Sequence, residues 1–177
     1  MQFKKQTLSK AAQGYCITSL PILGQDRIIA APEAKGPTMV FTAPNWECSV
    51  LATEPGGCMG FAMVPGRGDA MFMITKFYPI FKSEEAGIHL YQASDGLNTP
   101  WAGQRIIDLP FVHRISVVGN GVDNYLVAAS VCEGKDFQDD WSKPGAVYVA
   151  KIQDDLAGPW ELVPILEGIH QNHGMQV

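Results

Sequence analysis

The sequence has no apolar run of about 18 residues, the length a membrane-spanning helix needs, so no membrane partner is expected. It has no surplus of positive charge: 13 Lys and Arg stand against 18 Asp and Glu, a net charge of −5. A nucleic-acid binder needs a basic stripe over phosphates, so no nucleic-acid partner is expected. The opening stretch MQFKKQTLSKAAQGYC has no continuous apolar segment behind its lysines and does not read as a signal peptide. The four cysteines, Cys16, Cys48, Cys58 and Cys132, show no CxxC spacing. Without a secretory signal they read as reduced thiols, and a cytoplasmic location is expected. Segments with apolar residues at i, i+3, i+4 and i+7 are also missing, which excludes a helical architecture.

What is present is short, apolar and β-prone. Apolar residues make up 46% of the 177, enough for one domain with a core. The runs MVFTAP, GFAMVPGRGDAMFMITKF, RISVVGNGVDNYLVAAS and GAVYVAKI are rich in β-branched, aromatic and Met residues and are bounded by turn signals. The chain is predicted to be all-β.

These runs recur. Trp46, Trp101 and Trp160 each follow a turn, in TAPNW, LNTPW and LAGPW, and each is preceded by a Gly-led strand. FAMVPGRGDAMFMI and ISVVGNGVDNYLVA match almost position for position, and PILGQDRIIAA fills the same slot with a shorter turn. Repeats of roughly 40 to 60 residues with four strands each point to a β-propeller. A β-sandwich is the alternative, since its strands are also regularly spaced.

With strands A to D running outward from the axis, the first repeat has A at 15–23, B at 26–31, C at 37–42 and D at 46–52. The second has A at 59–64, B at 69–76, C at 87–92 and D at 102–109; the third has A at 113–118, B at 124–131, C at 145–152 and D at 160–166. The expected organisation is a single incomplete propeller over 1–177: 1–10 as an outer strand of the closing blade, blades at 11–53, 54–110 and 111–167, and 168–177 as the inner strand of the next blade. Phe3 takes the Trp slot in FKKQTL, with strands at 3–9 and 172–177. Three blades do not close a ring. The expectation is therefore the N-terminal part of a longer protein, or else a homo-oligomer that completes its ring with another copy.

In an antiparallel meander, alternate loops lie on opposite faces. The tight A–B turns, PGRG and GNGVDN, take one face; the longer D–A and B–C loops take the other, where sites are usually carried. Aligning the A strands puts Gly60, Arg114 and His173 in one slot and Met59, His113 and Asn172 one residue earlier. His113, Arg114, Asn172 and His173 are thus predicted at the mouth of a central funnel. The B–C loops at 76–86 and 132–144 add Tyr78, Lys135, Asp140 and Trp141 as substrate-binding candidates with Asn172. His, Arg, Asn, carboxylates and aromatics together suit a small polyhydroxylated carbohydrate, an aromatic stacking on its face and the polar groups taking its hydroxyls.

Each signal has a plainer alternative. His113, His170 and His173 are candidate ligands for a divalent metal (Zn, Mg or Mn), although no fixed-spacing zinc signature is present; otherwise they bond backbone in a crowded funnel. Arg114 suits a carboxylate or phosphate, or a salt bridge to Asp108. Asp139, Asp140 and Trp141 are an acid/base pair beside a stacking ring, or a solvated loop with its Trp packed down. The recurring Trp residues and His89 are assigned to packing, Cys16 and Cys58 to buried small hydrophobes, and GNGVDN lacks the alternating Asp series of a calcium loop.

The pattern HRISVVGNGVDNYLVAAS followed by PGAVYVAKI resembles the FG-GAP or VCBS class of propeller repeat, although the aspartate loop is degenerate here. HR, DDWSKPG and NHGM, within residues 100–177, also resemble the propeller part of aldos-2-ulose dehydratase-type proteins. That resemblance implies metal-dependent lyase or isomerase chemistry on a sugar or keto-sugar, with His113, Arg114 and His173 at the site as the catalytic candidates. A non-catalytic glycan- or protein-binding propeller is the alternative. So is a propeller-fold glycosidase, which would need two carboxylates roughly 5 to 10 Å apart.

Overall fold

A computed structural model describes residues 3–10 and 13–176, and the backbone alone at 80 and 81. Residues 1, 2, 11, 12 and 177, which the expected boundaries include, lie outside the described residues. The chain is all-β. Sheet 1 holds β1 (Gly14–Ile22), β2 (Gln25–Pro32), β3 (Thr38–Thr42) and β4 (Glu47–Ala52). Sheet 2 holds β5 (Phe61–Met63), β6 (Ala70–Thr75), β7 (Gly87–Gln92) and β8 (Ala102–Asp108). Sheet 3 holds β9 (Val112–Gly119), β10 (Asn124–Ser130), β11 (Gly145–Lys151) and β12 (Val163–Ile169). Each sheet is an antiparallel meander in chain order. No described helix is long and apolar enough to cross a membrane.

The sheets stack with sheet 2 in the middle, and β6 shows why. All six of its residues are buried. Side chains alternate across a strand, so Ala70, Phe72 and Ile74 enter the core shared with sheet 3. Met71 and Met73 enter the core shared with sheet 1. An outer strand alternates apolar with polar; a strand covered on both faces reads as one apolar run, as AMFMIT does. The first strands of the sheets lie together, β5 beside both β1 and β9.

Two of the three recurring tryptophans pack as expected. Trp101 is buried in the sheet 1–sheet 2 core, and its indole N–H donates to Gly96 O at 2.8 Å. Trp160 packs on the other core, edge-on to Phe72 at 5.6 Å between ring centroids. Trp46 differs: it is half-buried, has φ 59° and joins neither core.

The ends of the sequence also differ from expectation. Residues 3–10 and 172–176 form no strand, and Phe3 is 87% exposed instead of filling a Trp slot. A strand needs a neighbour to pair its backbone, and neither stretch is paired by one among the described residues. The last strand lies later than the expected 160–166, at Val163–Ile169. The loop expected over 76–86 contains a short 3-10 helix, Ile80–Glu85.

Candidate functional site

The meander sorts its loops by face. At one end the three first hairpin turns gather: Gly24, Gly66, Gly68 and Gly119 line one hollow, and Leu23 N–H donates to Gly68 O at 2.7 Å. At the other end the long connections meet. Gly57 N–H donates to Glu33 O at 2.6 Å, while Lys76 N–H and Phe77 N–H donate to Gly56 O and Gly57 O at 2.9 and 3.2 Å. Gly57 has to be glycine: its φ is +57°, and an added Cβ would lie 2.2 Å from the Phe77 nitrogen.

This backbone lacing holds Phe77 fully buried against the ring of His113, with centroids 5.0 Å apart. His113, in β9, is 1% exposed. Its Nε2 is 3.0 Å from the hydroxyl of Tyr15 in β1. Its Nδ1 is buried without a hydrogen-bond partner among the described residues. Burial, the Arg114 charge and His173 together push the His113 pKa down to about 3, so the imidazole is neutral at ordinary pH. An orphaned buried nitrogen costs about 1–3 kcal/mol.

His173 is exposed, and its ring meets that of His113 edge-on at 4.8 Å. Its Nδ1–H donates to Gln171 O at 3.0 Å. In a neutral imidazole that leaves Nε2 with the lone pair. Arg114 Nη1–H donates to Met59 O and His113 O, both at 3.0 Å, which ties the start of β9 to the segment leading into β5. The expected alternative partner, Asp108, pairs instead with Arg105 in its own strand, because i and i+3 across the irregular end of β8 are nearer than the next sheet. Asn172 lies half-buried between His173 and Gln171.

The other predicted residues belong to two separate groups. In the 132–144 loop, Asp140 accepts from Asp136 N–H at 3.0 Å, Ser142 N–H at 2.9 Å and Ser142 Oγ–H at 2.6 Å. The Ser142 hydroxyl and the backbone donors hold its pKa down to about 2. Lys135 Nζ donates to Asp140 O at 2.8 Å and stands 3.1 Å above the centre of the Trp141 ring. Trp141 also packs on the core. These three residues brace one another, and Asp140 is held ionised, the opposite of what a proton-donating carboxyl requires. Tyr78 is in the second group. It is 47% exposed and lines a cleft of about 830 Å³ with Lys35, Glu54, Lys76, Lys82 and Glu85.

The metal expectation can be tested on the donors. His113 Nδ1 has no partner among the described residues, and the His173 ring is beside it. His170 is not part of that pair, since its Nδ1–H donates to Trp141 O at 2.9 Å. Among the described residues no group of three or more His, Cys, Asp or Glu is placed to hold a metal ion. Two imidazoles do not make a three-ligand protein site, so no step is routed through a metal here.

Two residues at this site were not singled out by the sequence, and two more were given no role in it. Tyr15 and Phe77 contact His113 directly. Cys16 and Cys58, noted only as buried small residues, lie near enough for each to shift the titration of the other. The signal for Tyr15 and Cys16 was their place at the start of an A strand, the slot His113 and Arg114 hold in the third repeat; the weak first repeat hid it.

The chain matches no protein-family model and no curated protein.

Proposed function

We propose that the three stacked sheets are blades of an FG-GAP or VCBS-like β-propeller and that the chain performs dehydratase or isomerase chemistry on a sugar or keto-sugar. The site is the mouth where β1 and β9 begin and 172–174 return. The carrying observation is the contact of a neutral, buried His113 with the Tyr15 hydroxyl at 3.0 Å, beside the exposed His173. The resemblance to aldos-2-ulose dehydratase-type proteins supports the substrate class. The reduced thiols fit a cytoplasmic setting.

The roles divide by exposure. His113 is too buried to meet substrate and too weakly basic to take a proton at neutral pH, so it is a positioning residue that fixes Tyr15. Tyr15, 40% exposed, donates a hydrogen bond to the substrate carbonyl oxygen, and Arg114 adds positive charge behind it. His173 Nε2 takes the proton from the carbon next to that carbonyl, giving an enediol(ate). Return of the proton to the other carbon completes an isomerisation. Return to a β-hydroxyl, which leaves as water, completes a dehydration.

Binding without turnover is the second reading, favoured by the separate cleft at Tyr78, whose lining includes none of Tyr15, His113 and His173. Deuterium uptake into keto-sugars in heavy water, followed by proton NMR, distinguishes the two. The catalytic reading expects uptake at the carbon beside the carbonyl, reduced by about 10²–10⁴-fold in His173→Ala and clearly reduced in Tyr15→Phe. Binding to the Tyr78 cleft with no uptake above buffer would remove it.

A further inference from the structure

Cys16 and Cys58 come from different sheets, yet they are brought together by backbone. Cys16 pairs with Ala31 in the β1–β2 ladder, just after an irregularity at Gly14, which pairs with Pro32. Cys58 N–H donates to Pro32 O at 3.3 Å, and Gly57 N–H to Glu33 O. The segment before β5 is therefore laid along the end of β2, across from Cys16. The two thiols are near enough for each to shift the titration of the other. Cys58 is fully buried, whereas Cys16 is half-buried and is among the residues lining a cleft of about 570 Å³ that residues 5–9 also border.

From this geometry we infer that Cys16 and Cys58 are a redox pair: Cys16 is the thiol that meets a small hydroperoxide, and Cys58 resolves it into a disulfide joining sheets 1 and 2. The chemistry balances. The Cys16 thiolate attacks the peroxide O–O bond, which breaks; sulfur is oxidised to the sulfenic acid, and peroxide is reduced to hydroxide, which takes up a proton to become water (an alcohol from an alkyl hydroperoxide). The Cys58 sulfur then attacks the Cys16 sulfur. The S–S bond forms, the S–O bond breaks, and the hydroxyl departs as water with the Cys58 proton.

The two environments support this order of events. The Cys58 thiol and the Arg114 guanidinium draw the Cys16 thiol below its ordinary range against the opposing effect of burial, while burial and the Cys16 thiol hold Cys58 well above it. A thiolate beside positive charge and open to a cleft is the reactive kind; a thiol sealed in a core is inert until its neighbour is oxidised. The other two cysteines lack this arrangement. Cys48 is exposed with its thiol raised by partial burial, and Cys132 is buried in the core shared by sheets 2 and 3.

The inference stands apart from the sugar reading, and its test uses no substrate. The reduced protein is treated with hydrogen peroxide, free thiols are blocked by alkylation, and the digest is mapped by mass spectrometry, with Cys16→Ser and Cys58→Ser alongside. The expected result is a Cys16–Cys58 linked peptide within one chain, reversed by dithiothreitol. In Cys58→Ser, Cys16 should stop at a sulfenic acid trapped by dimedone; in Cys16→Ser, Cys58 should stay a thiol. Wild-type protein in which Cys16 and Cys58 remain thiols overturns the inference. So does oxidation that links Cys16 to Cys48 or to another chain, or that carries Cys16 to the sulfinic acid instead of the disulfide.

Discussion

Replacing His113 with Phe should flatten the acid limb of the stability curve. In the unfolded chain a histidine takes its proton near pH 6.5; in the folded chain His113 does so only near pH 3. Between those values the unfolded state binds a proton that the folded state does not. Stability therefore falls as pH falls through this window, by about 1.4 kcal/mol per pH unit, and is whole above about 6.5. At about pH 4.5 the loss from His113 alone is about 2.7 kcal/mol. His89, lowered to about 4 by burial and the Arg105 charge, adds a loss of its own, but wild type and variant share it. Phe at 113 keeps the ring contact with Phe77, gives up the Tyr15 hydrogen bond and removes the orphaned Nδ1. The lost bond is about 0.5–1.5 kcal/mol and the removed orphan about 1–3 kcal/mol, of opposite sign, so they largely offset each other and the variants should be close at pH ~7.5. Urea midpoints at both pH values, with m checked for constancy, give the comparison. Equal acid losses in wild type and His113→Phe would refute a buried neutral imidazole at this position.

Gly57→Ala should cost about 2–5 kcal/mol, from the left-handed backbone and the Cβ clash with the Phe77 and Tyr78 nitrogens. Gly24→Ala, at φ +73° with nothing within 4 Å of its Cβ, should cost only about 1–2 kcal/mol; equal urea midpoints for the two would contradict the lacing described. Asp140→Asn replaces an acceptor oxygen with a donor that faces N–H groups, so hydrogen exchange and proteolysis over 133–144 should quicken while the sheets stay protected. The wild-type loop should persist as pH falls below the ordinary carboxylate range and loosen only toward about pH 2, where Asp140 is protonated in the folded state.

Much of the strand pattern was legible because burial on one or both faces writes itself into a period of two. AMFMIT is continuous and apolar because β6 is covered on both sides; the glycine turns and the sorting of loops by face followed from the meander. Repeat alignment also places His113 and His173 near one another, and their rings meet at 4.8 Å. What failed depended on a partner the local sequence does not encode. FKKQTL has the look of a strand but is paired by none among the described residues. Trp46 shares the turn context of Trp101 and Trp160 without their cavity. Lys135, Asp140 and Trp141 read as a binding rim, and no spacing foretold that they also brace one another. Tyr15 and the Cys16–Cys58 contact were hidden because both depend on how sheet 1 lies against its neighbours, which no spacing within one repeat specifies.

The proposed site depends on His113 being buried, neutral and bonded to Tyr15. A pH titration of its ring nitrogens by 15N NMR, in wild type and Tyr15→Phe, measures this directly. The expected result is an imidazole that stays neutral from pH 7 to below about pH 4, with an Nε2 resonance that moves when the Tyr15 hydroxyl is removed. Protonation near pH 6.5, with no response at Nε2 to the loss of that hydroxyl, would contradict it.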